Sequence, residues 1–226
     1  MGVCCSFNKN SEAEDFVITQ IKSEVLKLNE FDYNKLLNDI VSKRVQQEIY
    51  KEHIEEYLLE EFYNTSLPEN EIKYQKAILE HLISLLNKKN NMYVVMLIFY
   101  PFINHTNENC DENLYSMFNY AAGRLTIEEF EIWLKKYFNW FTFEITKAVL
   151  NVCDDPIIKN GLEELNISFY NGDAIKNIVD KMLSEYKKNS QNPGKDLISK
   201  EQFKSIYQAN PFASVEQIRN LVSNFH

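Results

Sequence analysis

Chain breakers are scarce in this sequence, with 5 Gly and 5 Pro among 226 residues. A sheet protein with many tight turns needs more of both, so the shortage favours long helices. Cysteine is scarce too: there are 4, of which Cys4 and Cys5 are adjacent near the start. The remaining Cys110 and Cys153 can build neither a disulfide framework nor a paired-cysteine zinc site, and a reducing compartment is expected. Clustered Lys and Arg are missing, the formal net charge being -9 and the pI near 5.1. Without a basic stripe to neutralise phosphates, a general nucleic-acid partner is excluded. Long apolar runs are missing as well. The most apolar stretch, Met92 to Tyr100, reaches about twelve residues with its flanks, against the roughly twenty that span a bilayer.

Catalytic patterns are equally absent. There is no Gly-rich phosphate loop, no His-Glu-x-x-His and no Ser or Cys nucleophile beside an evident base. His53 and His81 fall within expected helices and read as structural residues. His105 and Cys110 share a loop, but two ligands make no metal site. The many Glu residues between about 46 and 80 read as a solvated helix face. The expectation is a chain with no catalytic residue, no metal ligand and no small-molecule substrate.

What is present is a hydrophobic content of 45%, ample for a packed core, arranged with helical periodicity. Val17, Ile21, Val25 and Leu28 mark a helix from about 14 to 28, and Leu36, Leu37, Ile40 and Val41 a short second one. A third is expected from about Val45 to Phe62, ended by Ser66-Leu67-Pro68, because proline disfavours helical geometry in the residue before it. Ile78, Leu79, Leu82, Ile83 and Leu86 form the next. The segment from Met92 has no polar face and reads as an enclosed core helix, ended or kinked by Pro101. A polar loop from Asn104 to Asn113 is the domain boundary. The expected organisation is a flexible tail (1–13), an N-terminal helical half (14–105) and a C-terminal half (111–226), all-α.

In the second half, Asp155-Pro156 reads as a cap and first turn, with Gly161 ending that helix. Ile175, Ile178, Val179, Met182, Leu183 and Tyr186 are the buried face of a helix opened by Asn171. Ser214 and Gln217 form a capping box for a last helix with Ile218, Leu221, Val222 and Phe225 inward.

The tail has its own chemistry. Once Met1 is removed, Gly2 with Ser6 fits the N-myristoylation pattern, and Cys4 and Cys5 stand where palmitoylation would add further acyl chains. A single myristoyl chain holds a membrane only marginally, so a second signal is required. Glu12, Glu14 and Asp15 follow the lone Lys9, and electrostatic attraction to anionic lipid cannot supply it. Covalent myristate and palmitate are therefore expected on Gly2, Cys4 and Cys5, at the cytoplasmic face of a membrane.

Beyond the boundary loop comes a motif. Leu114 to Phe118 suit an incoming helix, Gly123 a sharp turn, and Leu125 precedes Thr126 and Glu129, a capping box that opens an outgoing helix. Leu197 to Phe203 repeats the design, with Ile198 for Leu125 and a Ser199/Gln202 capping box. With Glu129 closing a twelve-residue loop, Gly123 takes the sixth place, Leu125 the eighth and Thr126 the ninth, and this arrangement resembles an EF-hand. The order of acylated glycine, helical body and paired hands is similar to the myristoylated calcium-sensor and calcineurin-B-like proteins. The resemblance implies paired helix-loop-helix units, with a more eroded pair in the N-terminal half. Both loops depart from the family's acidic pattern. Phe118, Tyr120 and Ala122 occupy the first, third and fifth places of one, and Lys195 and Asp196 fall at ligand and glycine places of the other. A calcium ion wants about six to eight oxygen ligands, so calcium binding is not expected.

Phe130, Trp133, Tyr137, Phe138, Trp140, Phe141 and Phe143 make the outgoing helix aromatic. Core packing is the first reading. Trp133, Tyr137, Phe138, Trp140 and Phe141 are the candidates if a groove for a partner helix is open. The expected function is a membrane-anchored, calcium-independent adaptor for another protein, at a plasma or ciliary membrane. The alternatives are a structural subunit of a cytoskeletal or ciliary assembly and, third, a calcium switch.

Overall fold

The computed structural model describes residues 12–18, 48–61, 69–102, 109–168 and 170–223. Gly2, Cys4, Cys5, His105, His226, the short helix expected around 36–41 and most of the helix expected from 14 to 28 lie outside them. The described chain is predominantly helical, with one two-stranded ribbon.

Residues 12–18 are helical. The helix expected from Val45 begins only at Lys51, because Glu48–Tyr50 (β1) pairs antiparallel with Lys89–Asn91 (β2), Ile49 opposite Asn90. Ile49 is buried, and the Lys51 N–H is taken by the Lys88 carbonyl at 3.0 Å. Between the strands lie α1 (Lys51–Glu61) and α2 (Glu69–Ser84), the latter burying Ile78, Leu79, Leu82 and Ile83. β2 leads into α3 (Met92–Phe99), whose first turn is capped by Asn91 Oδ1 accepting from the Tyr93 N–H at 2.9 Å. Val95, Leu97, Ile98 and Phe99 bury this helix, and a 3₁₀ turn at Tyr100–Phe102 ends it around Pro101. Among the described residues no helix is long and apolar enough to cross a membrane.

The second half holds α4 (Cys110–Ala122), α5 (Ile127–Asn139), a π-helical turn (Trp140–Glu144), α6 (Ile145–Val152), α7 (Pro156–Ser168), α8 (Gly172–Asn189), α9 (Lys200–Ala209) and α10 (Val215–Ser223). Side chains start these helices. Asp155 Oδ1 accepts from the Ile157 and Ile158 N–H groups at 2.8 and 3.2 Å, and Asn171 Oδ1 from Ala174 at 2.9 Å. Gly161 does not end α7, which runs on to Ser168. Leu162 and Leu165 keep its buried face packed, which outweighs the roughly 1 kcal/mol that a helical glycine costs.

α4 packs on α9, α5 on α8, and α6 on α2 of the first half. Charge pairs register the first two contacts. Lys200 meets Glu112 at 2.9 Å, and Glu131 sits between Lys135 at 2.5 Å and Lys187 at 2.6 Å. His81 Nε2 lies 2.7 Å from Glu144 Oε2, and Lys73 pairs with Asp154, both between α2 and the α6 region. Buried apolar residues from Ala13 to Val222 belong to one cluster, so the two halves share one core, and α4 already begins at Cys110, inside the loop expected from Asn104 to Asn113.

Candidate functional site: two joined loops over an aromatic core

The loop after α4 is shorter than a twelve-residue frame ending at Glu129 would make it. The helix does not stop at Phe118 but winds on to Ala122, carrying what would be the first five loop places with it. Phe118 is fully buried, its ring 5.3 Å from Tyr137 and 5.6 Å from Phe130. The apolar ring gains more from this core than from a water-facing loop, and that holds the helix together. Gly123 then takes φ 73°, a conformation costly for any residue with a Cβ, and turns the chain out of the helix. Asn119 Oδ1 accepts the Leu125 N–H at 3.3 Å across this turn.

The Thr126–Glu129 capping box is half made. Thr126 Oγ1 accepts the Glu129 N–H at 3.2 Å, but the Thr126 N–H goes to the Arg124 carbonyl at 3.0 Å, leaving the Glu129 carboxylate no such role. At the second loop the box is complete, with Ser199 Oγ accepting from Gln202 N–H at 3.2 Å and Gln202 Oε1 from Ser199 N–H at 2.8 Å.

The second loop folds on Asp196, whose Oδ2 accepts from Ser190 Oγ at 2.5 Å and Asn192 N–H at 3.3 Å. These bonds, the serine hydroxyl first, hold the Asp196 carboxyl below its ordinary pKa. The two loops are joined through the backbone. Thr126 and Leu197 form an antiparallel bridge, which sets Leu125 opposite Ile198, and the Ile198 N–H reaches the Leu125 carbonyl at 3.0 Å. Ile127 and Glu128 give their N–H groups to the Asp196 and Pro193 carbonyls at 3.0 and 3.1 Å. Donors that a helix start leaves unsatisfied are thus consumed by the neighbouring loop.

These carbonyls are therefore engaged with backbone N–H donors. Among the described residues no group of three or more His, Cys, Asp and Glu side chains is placed to hold a metal ion. No family model, curated protein or solved structure matches the chain.

The aromatic candidates divide. Tyr137, Phe138 and Phe141 have no exposed surface and belong to the core. Phe212, between α9 and α10, packs edge-on against Phe118, Tyr137, Phe138 and Phe203 and accepts the Tyr137 hydroxyl on its carbonyl at 3.3 Å. The chain itself fills the space that a partner helix would have needed there. Burial, which disfavours the charged phenolate, pushes the Tyr137 pKa well above its ordinary value. Trp133 and Trp140 are half-buried and in edge contact at 6.4 Å, with Lys136 Nζ 4.9 Å over the Trp133 ring. Exposed Ile132 immediately precedes Trp133 in sequence.

One buried centre was not foreseen. Arg219 of α10 is fully buried, and all of its N–H donors are used. Nε and Nη2 reach the two oxygens of Glu14 at 2.6 Å each. Nη2 also reaches Thr146 Oγ1 at 3.0 Å, and Nη1 the Phe141 and Thr142 carbonyls at 3.1 and 3.3 Å. These carbonyls belong to the π-helical turn, where the wider backbone spacing breaks the α-helical ladder. The Tyr170 ring lies 4.8 Å from the guanidinium carbon. Burial opposes the arginine's charge, Glu14 and Tyr170 outweigh it, and the pKa ends above its ordinary value. The signal lay in the stripe Val215, Ile218, Arg219 and Val222, which sets an arginine among inward-facing positions.

Proposed function

We propose that this protein is a non-enzymatic, EF-hand-like adaptor that is anchored to the cytoplasmic face of a membrane by acyl chains on Gly2, Cys4 and Cys5 and binds a partner protein without calcium. The observation that carries this reading is the direct joining of the two loops. Leu125 and Ile198 stand at equivalent places of the two repeats and face each other across the bridge, as paired hands require, while Phe118 and Lys195 occupy places where a sensor needs oxygen ligands. β1 and β2 offer the same design in the first half: each strand leads directly into a helix, and Ile49 and Asn90, each two residues before its helix, face one another.

The half-buried Trp133 and Trp140, with Lys136 and Ile132, are the partner-contacting group in this proposal. Tryptophan at a partly open surface gives a large contact area at little conformational cost. Both tryptophans pack against the core to which Tyr137, Phe138 and Phe141 belong.

Calorimetric titration with millimolar calcium tests the central claim. No saturable heat and no change in helicity is the expected result; a saturable site would overturn it. Mass spectrometry of the native amino terminus tests the anchor, with retained Met1 or unmodified Gly2, Cys4 and Cys5 as the outcome that removes it.

A further inference from the structure

The geometry points to a carboxylate-recognising helix cleft built around Arg219, in which residues 12–18 of the same chain are the resident ligand, and we infer that this segment is a fixed strut of the C-terminal half. It stands apart from the joined loops and does not depend on the function proposed for them.

The described residues 12–18 are helical, and one face of them is docked. Ala13 and Val17, one turn apart, are fully buried, and Phe16 meets the Tyr74 ring of α2 edge-on at 5.3 Å. Glu14 enters the cleft beside them and meets the Arg219 fork through both oxygens, the arrangement that guanidinium and carboxylate geometry favours. The other acceptors of Arg219 are fixed in the cleft wall before any ligand arrives: two carbonyls of the π-helical turn and the Thr146 hydroxyl.

The cleft thus selects by charge and shape together. A helix with apolar side chains one turn apart and no carboxylate would fill the apolar floor and strand a buried guanidinium. Such stranding is strongly unfavourable, whereas removing both charges together is tolerated. Any chain that precedes residue 12 is consequently tied to α10 and the π-helical turn.

Two measurements on the full-length chain test this. In a urea-denaturation cycle of Glu14→Met, Arg219→Met and the double variant, each single change is expected to lower the folded-to-unfolded ratio by about a hundredfold or more. The double variant should lose far less than the product of the two, and losses that simply multiply would overturn the inference. In the second measurement, Glu14→Ala/Val17→Asp is expected to free the amide protons of residues 13–18 to exchange while α4, α5, α8 and α9 stay protected. A synthetic peptide of residues 11–19 should then raise the denaturation midpoint saturably, and the same peptide carrying Glu14→Gln should not. Equal action of the two peptides, or fast exchange of residues 13–18 in the unaltered protein, would also overturn it.

Discussion

The backbone N–H of Ile198 donates to the carbonyl of Leu125 at 3.0 Å, and both side chains are 1% exposed, so the two loops share one hydrogen-bonded bridge and one apolar floor. Replacing either residue by alanine removes buried methyl groups that the rigid surroundings cannot fully refill, at an expected cost of about 2–5 kcal/mol each. Urea denaturation reads this. Because the two residues face each other, the double variant should cost measurably less than the sum of the singles, and strict additivity would show that the loops do not support one another.

Two glycines in the same loops should behave differently. Gly123 has open space around its α-carbon but φ 73°, so Gly123→Ala is expected to cost about 1–2 kcal/mol through backbone strain alone. At Gly194 an added Cβ would stand 2.7 Å from Glu128 Oε2, the far end of an exposed side chain that can move aside. Gly194→Ala should fall within about 0.5 kcal/mol of the parent. Thermal denaturation of both variants gives the comparison directly.

Glu131 supplies an acid-side test. Burial works to raise its pKa, but the hydrogen bonds from Lys135 and Lys187 prevail and hold it below the ordinary carboxylate value. A carboxylate whose pKa is depressed in the folded state stabilises the fold above its unfolded value, near 4.3, and that contribution disappears as pH falls through the folded value. Glu131→Gln should therefore be less stable than the parent at pH 7, and the two should converge below about pH 4. A difference unchanged at pH 3 would mean that packing, and not charge, is what Glu131 contributes.

On the alkaline side the buried phenols act in the opposite direction. Burial raises the Tyr137 and Tyr170 pKa values far above normal and pushes Tyr207 up to about 12. The unfolded chain releases these protons first, near pH 10, so stability is intact below that pH and declines above it. Near-UV circular dichroism between pH 9 and 11.5 should show tertiary structure lost cooperatively. Tyr137→Phe, which removes one such proton, should move the midpoint upward. A midpoint that stays in place would assign the alkaline transition to other groups.

Helices announced by a cap and a periodic apolar face were readable from sequence, as with Asn171 before α8, Ser199 with Gln202 before α9, and Ser214 with Gln217, whose Oε1 accepts the Ser214 N–H at 3.2 Å. Their cause is local, contained in a few neighbouring residues. β1 was not readable, because three residues are too few to show a period and their partner lies about forty residues away. Gly161 misled for the complementary reason: its local preference is to end a helix, and tertiary packing of Leu162 and Leu165 overrides it. In the candidate site, Leu125 and Ile198 stand at equal places of the repeat and face each other across the bridge, whereas Gly123 has Asp196 at its equivalent place and is marked only by its turn, φ 73°. Core and surface among the aromatics could not be separated by spacing, since the residue that covers Tyr137 and Phe138 is Phe212, far along the chain.

Glu14 and Arg219 are 205 positions apart, which gives their contact a place in time as well as in space. During synthesis the first partner leaves the ribosome long before the second exists, so residues 12–18 must wait while the rest of the C-terminal half assembles. Closing so long a loop gains entropy cost only slowly with length, yet it brings no reward until α10 is in position. The pair is therefore expected to form among the last events of folding. Its loss is expected to speed unfolding while leaving the folding rate nearly unchanged, so its stabilisation is expressed mainly as lifetime of the native state.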